Sequence, residues 1–352
     1  MPMKRFSVLL LTLVLALSGC GQKAVETQII AMDTVMELTA CGSGAKKAVS
    51  GAEEAIRSLE AMLDRTSAQS EVSALNAGAG SPAAVSGTLA ELLRAALDYA
   101  VATDGRFDVT IAPVMDAWGF TTDHQQVPDQ SVLDRLLPLV DSGLVTLEDT
   151  AQGPAVTLAE SQSVDLGGIA KGYVSDCVEA VFRQNGIAAG KISLGGNIYV
   201  QGSKPDGSVW RVGVRDPRNE SGLAGILSLS DAYAVTSGGY ERYFTQSGKT
   251  YHHIIDPATG YPAETRLLSV TVVADANGPA EGTAPGNGAM CDAFSTALFV
   301  MGEDAALDFW RSGAYDFDLV LVTEDGRVLI TGGLEGRFEE CEESGYAYEI
   351  VH

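Results

Sequence analysis

Positive charge is what this sequence has least of. Lys and Arg total 23 against 46 Asp and Glu, a formal net charge of −23 over 352 residues. That balance excludes a general nucleic-acid binder, which needs cations to displace counterions from phosphates. It also excludes adhesion to anionic lipid through a basic patch. An anionic ligand needs local help here, from backbone N–H groups, a single Lys or a metal ion. Long apolar runs are as scarce. The one at the start, Phe6 to Leu17, falls short of the ~20 residues a spanning helix needs. Cysteine is sparse: the chain has five, with no CxxC pair and no zinc-ligand spacing. Cys41, Cys177, Cys291 and Cys341 therefore read as mostly buried free thiols. There is no P-loop, no dinucleotide-binding glycine fingerprint and no Gly-x-Ser-x-Gly elbow. Apolar residues are not lacking: at 46% they suffice for a sizeable core and exclude a disordered chain.

What is present begins with an address. Lys4 and Arg5 precede the apolar run, and Leu17-Ser18-Gly19-Cys20 closes it. A short apolar core ending in small residues fits a signal peptide, and the ending resembles a bacterial lipobox. The expectation is a signal peptide over 1–19, a lipidated Cys20, a tether over 20–28 and a catalytic domain over 29–352. The protein would then be an exported lipoprotein, anchored on the outer face of the cell membrane or the periplasmic side.

Apolar periodicity predicts amphipathic helices over 45–64 and 86–103, and further helices over 170–184 and 290–301. Residues 25–41 read as strand, interrupted at Asp33. Between 191 and 273 short β-like runs alternate with Gly, Pro, Asp and Ser, including one over 250–255. A hairpin is expected over 317–331, and 276–289 reads as a flexible surface insertion. This order predicts an α+β fold: a single two-lobed catalytic domain with a β-rich central part and flanking helices.

Four segments carry chemistry by residue type and spacing. Asp165-Leu166-Gly167-Gly168-Ile169-Ala170-Lys171 runs from a strand end through two glycines into a helix. Amides at a helix start attract anions, and Lys171 adds a point charge. An ordinary strand-to-helix turn accounts for the pattern equally well. In Asp292-Ala293-Phe294-Ser295-Thr296, Asp292 and Thr296 share a helix face and Ser295 lies close to it. Carboxylate and hydroxyl are hard ligands suited to Mg2+; a capping Asp292 beside an ordinary Thr296 is the competing reading. His252-His253-Ile254-Ile255-Asp256-Pro257 holds two of the four histidines. Neighbours on a strand face opposite ways, so one of the pair can face a site and take a proton near neutral pH. Arg106-Phe107-Asp108, leading to Trp118, suits either an aromatic ligand with a polar edge or a packed loop.

Taken in order, "AMDTVMEL", "GRFDVTIAPVMDAWGF", "VDLGGIAKGY", "SLGGNIYVQG", "TSGGYERYF", "HHIIDPATGYP" and "CDAFSTALFVMG" resemble the ApbE family of FAD:protein FMN transferases, over roughly residues 30–331. The resemblance implies Mg2+-dependent phosphoryl transfer. FAD is the substrate, FMN passes to a Thr or Ser hydroxyl of a membrane-attached redox protein, and AMP leaves. It implies Asp292 and Thr296 as metal ligands with the Gly168 carbonyl, and Ser295 by proximity. Met32, Arg106, Phe107, Asp108, Asp165, Lys171 and Ile255 fall where the family contacts FAD. Asp108 and Asp165 are expected to accept hydrogen bonds from it. His253 is the expected general base, with transfer falling between neutral and mildly acid pH. Three departures stand out. Asp33 replaces a usual Gly, so a different turn is expected there. Gly168 replaces a frequent Ala. The 276–289 segment is longer than the family needs. Two alternatives use the same residues: an FAD pyrophosphatase with water as acceptor, and a non-enzymatic flavin-binding lipoprotein.

Overall fold

Alternating burial builds a hairpin at one edge of the main sheet. Strands Ala24–Ala31 and Thr34–Cys41 pair antiparallel across Met32-Asp33. Both turn residues have positive φ, 48° and 59°, the primed-turn geometry that matches strand twist. Asp visits this region more readily than most residues. The aspartate thus holds a positive φ that glycine also adopts freely. The computed structural model describes residues 24–122, 124–276 and 285–352. The expected signal peptide and Cys20, the tether up to residue 23 and residues 277–284 of the expected insertion lie outside the described residues.

The main sheet has nine strands. In spatial order they are Ala24–Ala31, Thr34–Cys41, Ala189–Leu194, Asn197–Gln201, Ala232–Gly238, Leu267–Asp275, Asp318–Thr323, Arg327–Thr331 and Ala347–Val351. Its pairs are antiparallel except the last, which is parallel. Period-two side chains give the sheet two apolar faces. Leu319 and Leu321 pack with the helices, whereas Val320 and Val322 pack beneath a three-stranded sheet of Trp210–Asp216, Asn219–Leu229 and Phe338–Glu340. The fold is α+β, with helices Ala45–Leu63, Gly87–Ala102, Ala170–Gln184 and Asn287–Met301 on one face. A satellite cluster gathers Val114, Trp118, Phe120, Leu133 and Ile255, fastened by a 2.7 Å bond from Trp118 Nε1 to the Gly260 carbonyl.

Four short helices escape periodicity: Glu71–Ala77, Ala112–Trp118, Gln130–Leu136 and Glu303–Arg311. Each is only seven to nine residues long. Two boundaries need correction. The strand expected over 250–255 is Lys249–His252, and Ile255 leaves the ladder to bridge Pro262. The last of the four expected helices begins at Asn287 rather than Met290. Residues 286–289 are thus no loose insertion: the Asp176 carboxylate accepts the amides of Gly286, Gly288 and Ala289 at 2.9, 2.8 and 3.0 Å. The four described cysteines are free thiols, Cys41 and Cys291 buried and the other two half-buried. No described helix is long and apolar enough to cross a membrane.

Candidate active site

A cleft of about 540 Å3 opens between the helix-covered core and the satellite cluster. Met32, Arg106, Phe107, Asp108, Asp165, Gly168, Lys171, His253, Ile255, Asp292 and Thr296 all line it. Segments far apart in the chain are thereby brought to one place. Ser295 is the exception.

The floor forms at the glycine turn. Asp165 Oδ1 accepts the Gly167 amide at 2.8 Å, closing a tight turn. The Leu166 carbonyl then accepts from Ile169 and Ala170, which starts the helix. Asp165 Oδ2 is taken by Arg65 Nε at 2.8 Å, and Arg65 also holds Asp116 at 2.8 Å. Asp165 is thus anchored on both oxygens before any ligand arrives. Gly168 fits closely: a Cβ there would lie 3.1 Å from the Phe107 ring and 3.7 Å from Thr296 Oγ1.

Beside this turn stands the helix Asn287–Met301. Asp292 is buried, its Oδ2 accepts the Gly172 amide at 2.8 Å, and its Oδ1 lies 3.9 Å from Lys171 Nζ. Thr296 Oγ1 is 3.2 Å from Ser237 Oγ. Ser295, expected as a metal ligand, is fully buried and absent from the cleft wall. Its hydroxyl donates to the Asp292 carbonyl at 2.9 Å and pairs with Ser237 at 2.8 Å. It stands one bond behind the cleft wall, through Ser237, which does line it. Asp108 also differs from expectation. Its carboxylate already receives Thr110 N, Thr110 Oγ1 and Ser142 N at 2.8, 2.6 and 2.9 Å. It ties the wall together and keeps little acceptor capacity for a ligand.

Among the described residues no three His, Cys, Asp or Glu side chains gather as a metal site. The donors at Asp292 are one carboxylate and one hydroxyl, and the Gly168 turn beside Thr296 could add a backbone carbonyl. All three are hard oxygens, too few for a closed protein cage. This set fits Mg2+, which keeps waters and takes further oxygens from substrate phosphates.

His253 sits just past its strand. Its backbone amide and Nδ1 both meet the Arg242 carbonyl, at 3.0 and 3.1 Å. A carbonyl only accepts, so Nδ1 carries the hydrogen and Nε2 keeps its lone pair. Burial lowers the His253 pKa to about 4; the bond to the Arg242 carbonyl opposes this, and the charges of Arg242, His252 and Lys171 add to it. The imidazole is neutral at pH 7. His252 instead packs edge-on against Phe299 and meets the Ala263 carbonyl at 3.2 Å. Only one histidine of the pair faces the cleft.

Sequence reasoning missed Ser237, Arg65 and Arg242, which also line the cleft. Ser237 and Arg242 lie in the TSGGYERYF stretch, where nothing marked either as a site residue, and Arg65 belongs to no recognisable spacing.

A cleft that joins hard oxygens, a helix start, one Lys and a neutral imidazole defines a site for phosphoryl transfer from an anionic substrate. The ApbE family model matches residues 32–320. The FAD:protein FMN transferase of Klebsiella pneumoniae is 32% identical over 298 residues, covering 83% of this chain and 86% of that protein. The enzyme of the same name from Treponema pallidum is 34% identical, covering 79% and 77%. The crystal structure of the ApbE protein from Thermotoga maritima superposes with a TM-score of 0.81 at 29% identity, covering 91% of this chain and all of that one. This chain belongs to the ApbE family. It is accordingly an enzyme of the FAD:protein FMN transferase class.

Proposed function

We propose that the protein transfers FMN from FAD to a Thr or Ser hydroxyl of a partner protein in a Mg2+-dependent reaction that releases AMP. The carrying observation is that Asp292, Thr296, the Gly168 turn, Lys171 and a neutral His253 line one cleft. Asp292 Oδ1, Thr296 Oγ1 and the Gly168 carbonyl would hold the ion. When bound, Mg2+ neutralises pyrophosphate charge and makes phosphorus a better electrophile. Lys171, its Nζ 3.9 Å from Asp292 Oδ1, meets a phosphate oxygen beside the cation. Met32, Phe107 and Ile255 offer apolar surface for the flavin ring. Arg106 and the anchored Asp165 add polar contacts at its edge. His253 Nε2 accepts the acceptor's hydroxyl proton as that oxygen bonds to phosphorus and the bond to AMP breaks. The partner is a membrane-attached redox protein, met by an enzyme tethered through a lipidated Cys20 on the outer face of the membrane.

The test is to incubate the mature protein with FAD, Mg2+ and a flavin-accepting domain, then weigh the partner. An added FMN on one Thr or Ser is the expected result. Bound FAD with no covalent flavin on the partner would overturn the proposal. Equal release of AMP and free FMN would assign the site to water as acceptor.

A further inference from the structure

Two helices of the cleft exchange caps. The Gly172 amide, in the first turn of Ala170–Gln184, donates to Asp292 on the other helix. In return Asp176, on the first helix, accepts the amides of Gly286, Gly288 and Ala289 at the start of Asn287–Met301. Each helix start, with its unpaired amides and positive dipole end, is closed by a carboxylate of its neighbour. Between the caps the backbones touch: a Cβ on Gly172 would lie 2.1 Å from the Gly288 carbonyl oxygen, and one on Gly288 2.6 Å from that of Gly172.

The contacts form three rungs, four residues apart on each chain. Gly168 stands beside Thr296, Gly172 bonds Asp292, and Asp176 bonds Gly288. Residues four apart on a helix lie one above the other. The first two rungs hold all three candidate cation ligands, and the third holds none. A slip at the third rung would move Asp292 and Thr296 together, away from the Gly168 carbonyl.

We propose that Asp176 is a positioning residue for the cation, setting the gap between the Gly168 carbonyl and the Asp292–Thr296 pair through the start of helix Asn287–Met301. The inference rests on the cation reading given above. Asp176 is not a ligand: the residue is buried, its carboxylate is occupied by backbone amides, and it does not line the cleft. Groups that orient metal ligands typically cost about 10- to 100-fold in affinity when removed.

The experiment measures Mn2+ binding to the mature protein by calorimetry, and FAD binding separately in EDTA. Asp176→Asn keeps the shape but loses one acceptor oxygen and the charge; Asp176→Ala removes the cap. Mn2+ affinity is expected to fall about 10-fold or more for Asn and further for Ala, with metal-free FAD affinity within about twofold of the parent. If Asp292→Ala loses Mn2+ while both Asp176 variants bind it like the parent, the inference falls alone. If Asp292→Ala also binds like the parent, the cation reading falls and takes the inference with it. Should the variants fail to fold, hydrogen exchange on the parent protein decides. Saturating Mg2+ should slow exchange at Gly288 and Ala289, and unchanged exchange there overturns the coupling.

Discussion

The two sides of the cleft are held by different physics. On the side of the glycine turn, the carboxylates of Asp292, Asp165 and Asp108 are each tied by short bonds to backbone amides. On the side of His253 and the hairpin, bonds to the Arg242 carbonyl hold His253 and Glu60 accepts the Met32 amide, but the charged side chains meet in longer and more exposed ion pairs. Arg242 reaches Asp33 at 3.8 Å and Arg106 reaches Asp256 at 3.8 Å. Amide-bound carboxylates in a low-dielectric setting are rigid. Exposed pairs contribute about 0–1 kcal/mol and yield to salt. A transferase that takes a small dinucleotide and a protein surface has use for both. Phosphate must be met by fixed groups, whereas the mouth must admit a protein.

If that contrast is right, substitutions on the fixed side cost most. Asp292→Ala removes a candidate cation ligand and the partner of the Gly172 amide together. Transfer should drop by at least about 100-fold, read as covalent flavin formed per minute at saturating Mg2+. Retained transfer would place the cation elsewhere. Next comes the base. His253→Ala should slow transfer by about 10²- to 10⁴-fold. The pH profile is the sharper measurement. An ordinary imidazole predicts a fall from neutral to mildly acid pH, but burial lowers this pKa to about 4. A group with a lowered pKa stays deprotonated until pH falls through that lower value. The parent rate should therefore hold flat from pH 8 to about 5.5 and fall only below that. A midpoint near 6.5, with chemistry rate-limiting, would mean that burial does not lower the imidazole's pKa in the working enzyme, whereas a profile flat down to about pH 3 would remove His253 from the role.

Two glycines divide the fixed side further. Gly172→Ala would push a Cβ to 2.1 Å from the Gly288 carbonyl oxygen, and backbone cannot give way there. A loss of about 1–3 kcal/mol or more is expected in chemical denaturation. Gly168→Ala meets only the edge of the Phe107 ring at 3.1 Å. A ring can shift by a few tenths of an ångström, so this variant should keep its stability within about 0.5 kcal/mol. Equal losses at both positions would mean that the helix crossing is looser than these contacts imply.

Much of this was legible in the sequence, where the signal was local. The helix Ala170–Gln184 runs between a Gly-Gly turn and Gly186, and its limits follow from those residues alone. Eleven cleft residues were recognisable because each sits in a motif whose order along the chain is informative. What was not legible came from distant partners. The helix Asn287–Met301 starts early because its cap is Asp176, more than a hundred residues away. Ser295 was placed on the ligand face by spacing. That helix is buried nearly all round, and the Ser295 hydroxyl bonds Ser237 and the Asp292 carbonyl. That Asp108 ties the wall to Ser142, 34 residues on, is not legible from spacing either. The low pKa of His253 depends on burial that no spacing reports.

The smallest effect is expected at the departure that looked largest in the sequence. Asp33 stands at φ 59°, which glycine adopts freely, so Asp33→Gly leaves the turn intact. What it removes is a pair between an 84% exposed carboxylate and Arg242 at 3.8 Å. Such a pair contributes at most about 1 kcal/mol, and His253 is held by the Arg242 backbone carbonyl, not by its guanidinium. Transfer by Asp33→Gly should stay within about threefold of the parent, in low salt and in high salt alike. Asp33→Val is the informative contrast, because a β-branched residue resists positive φ. It should loosen the hairpin and carry Met32 out of the cleft, raising the FAD concentration needed for half-maximal rate while leaving Mn2+ binding at Asp292 unchanged. If Asp33→Gly instead proved as damaging as Asp33→Val, the ion pair would be a fixed element after all. The division between a rigid phosphate side and a yielding protein-facing side would then have to be redrawn around Arg242.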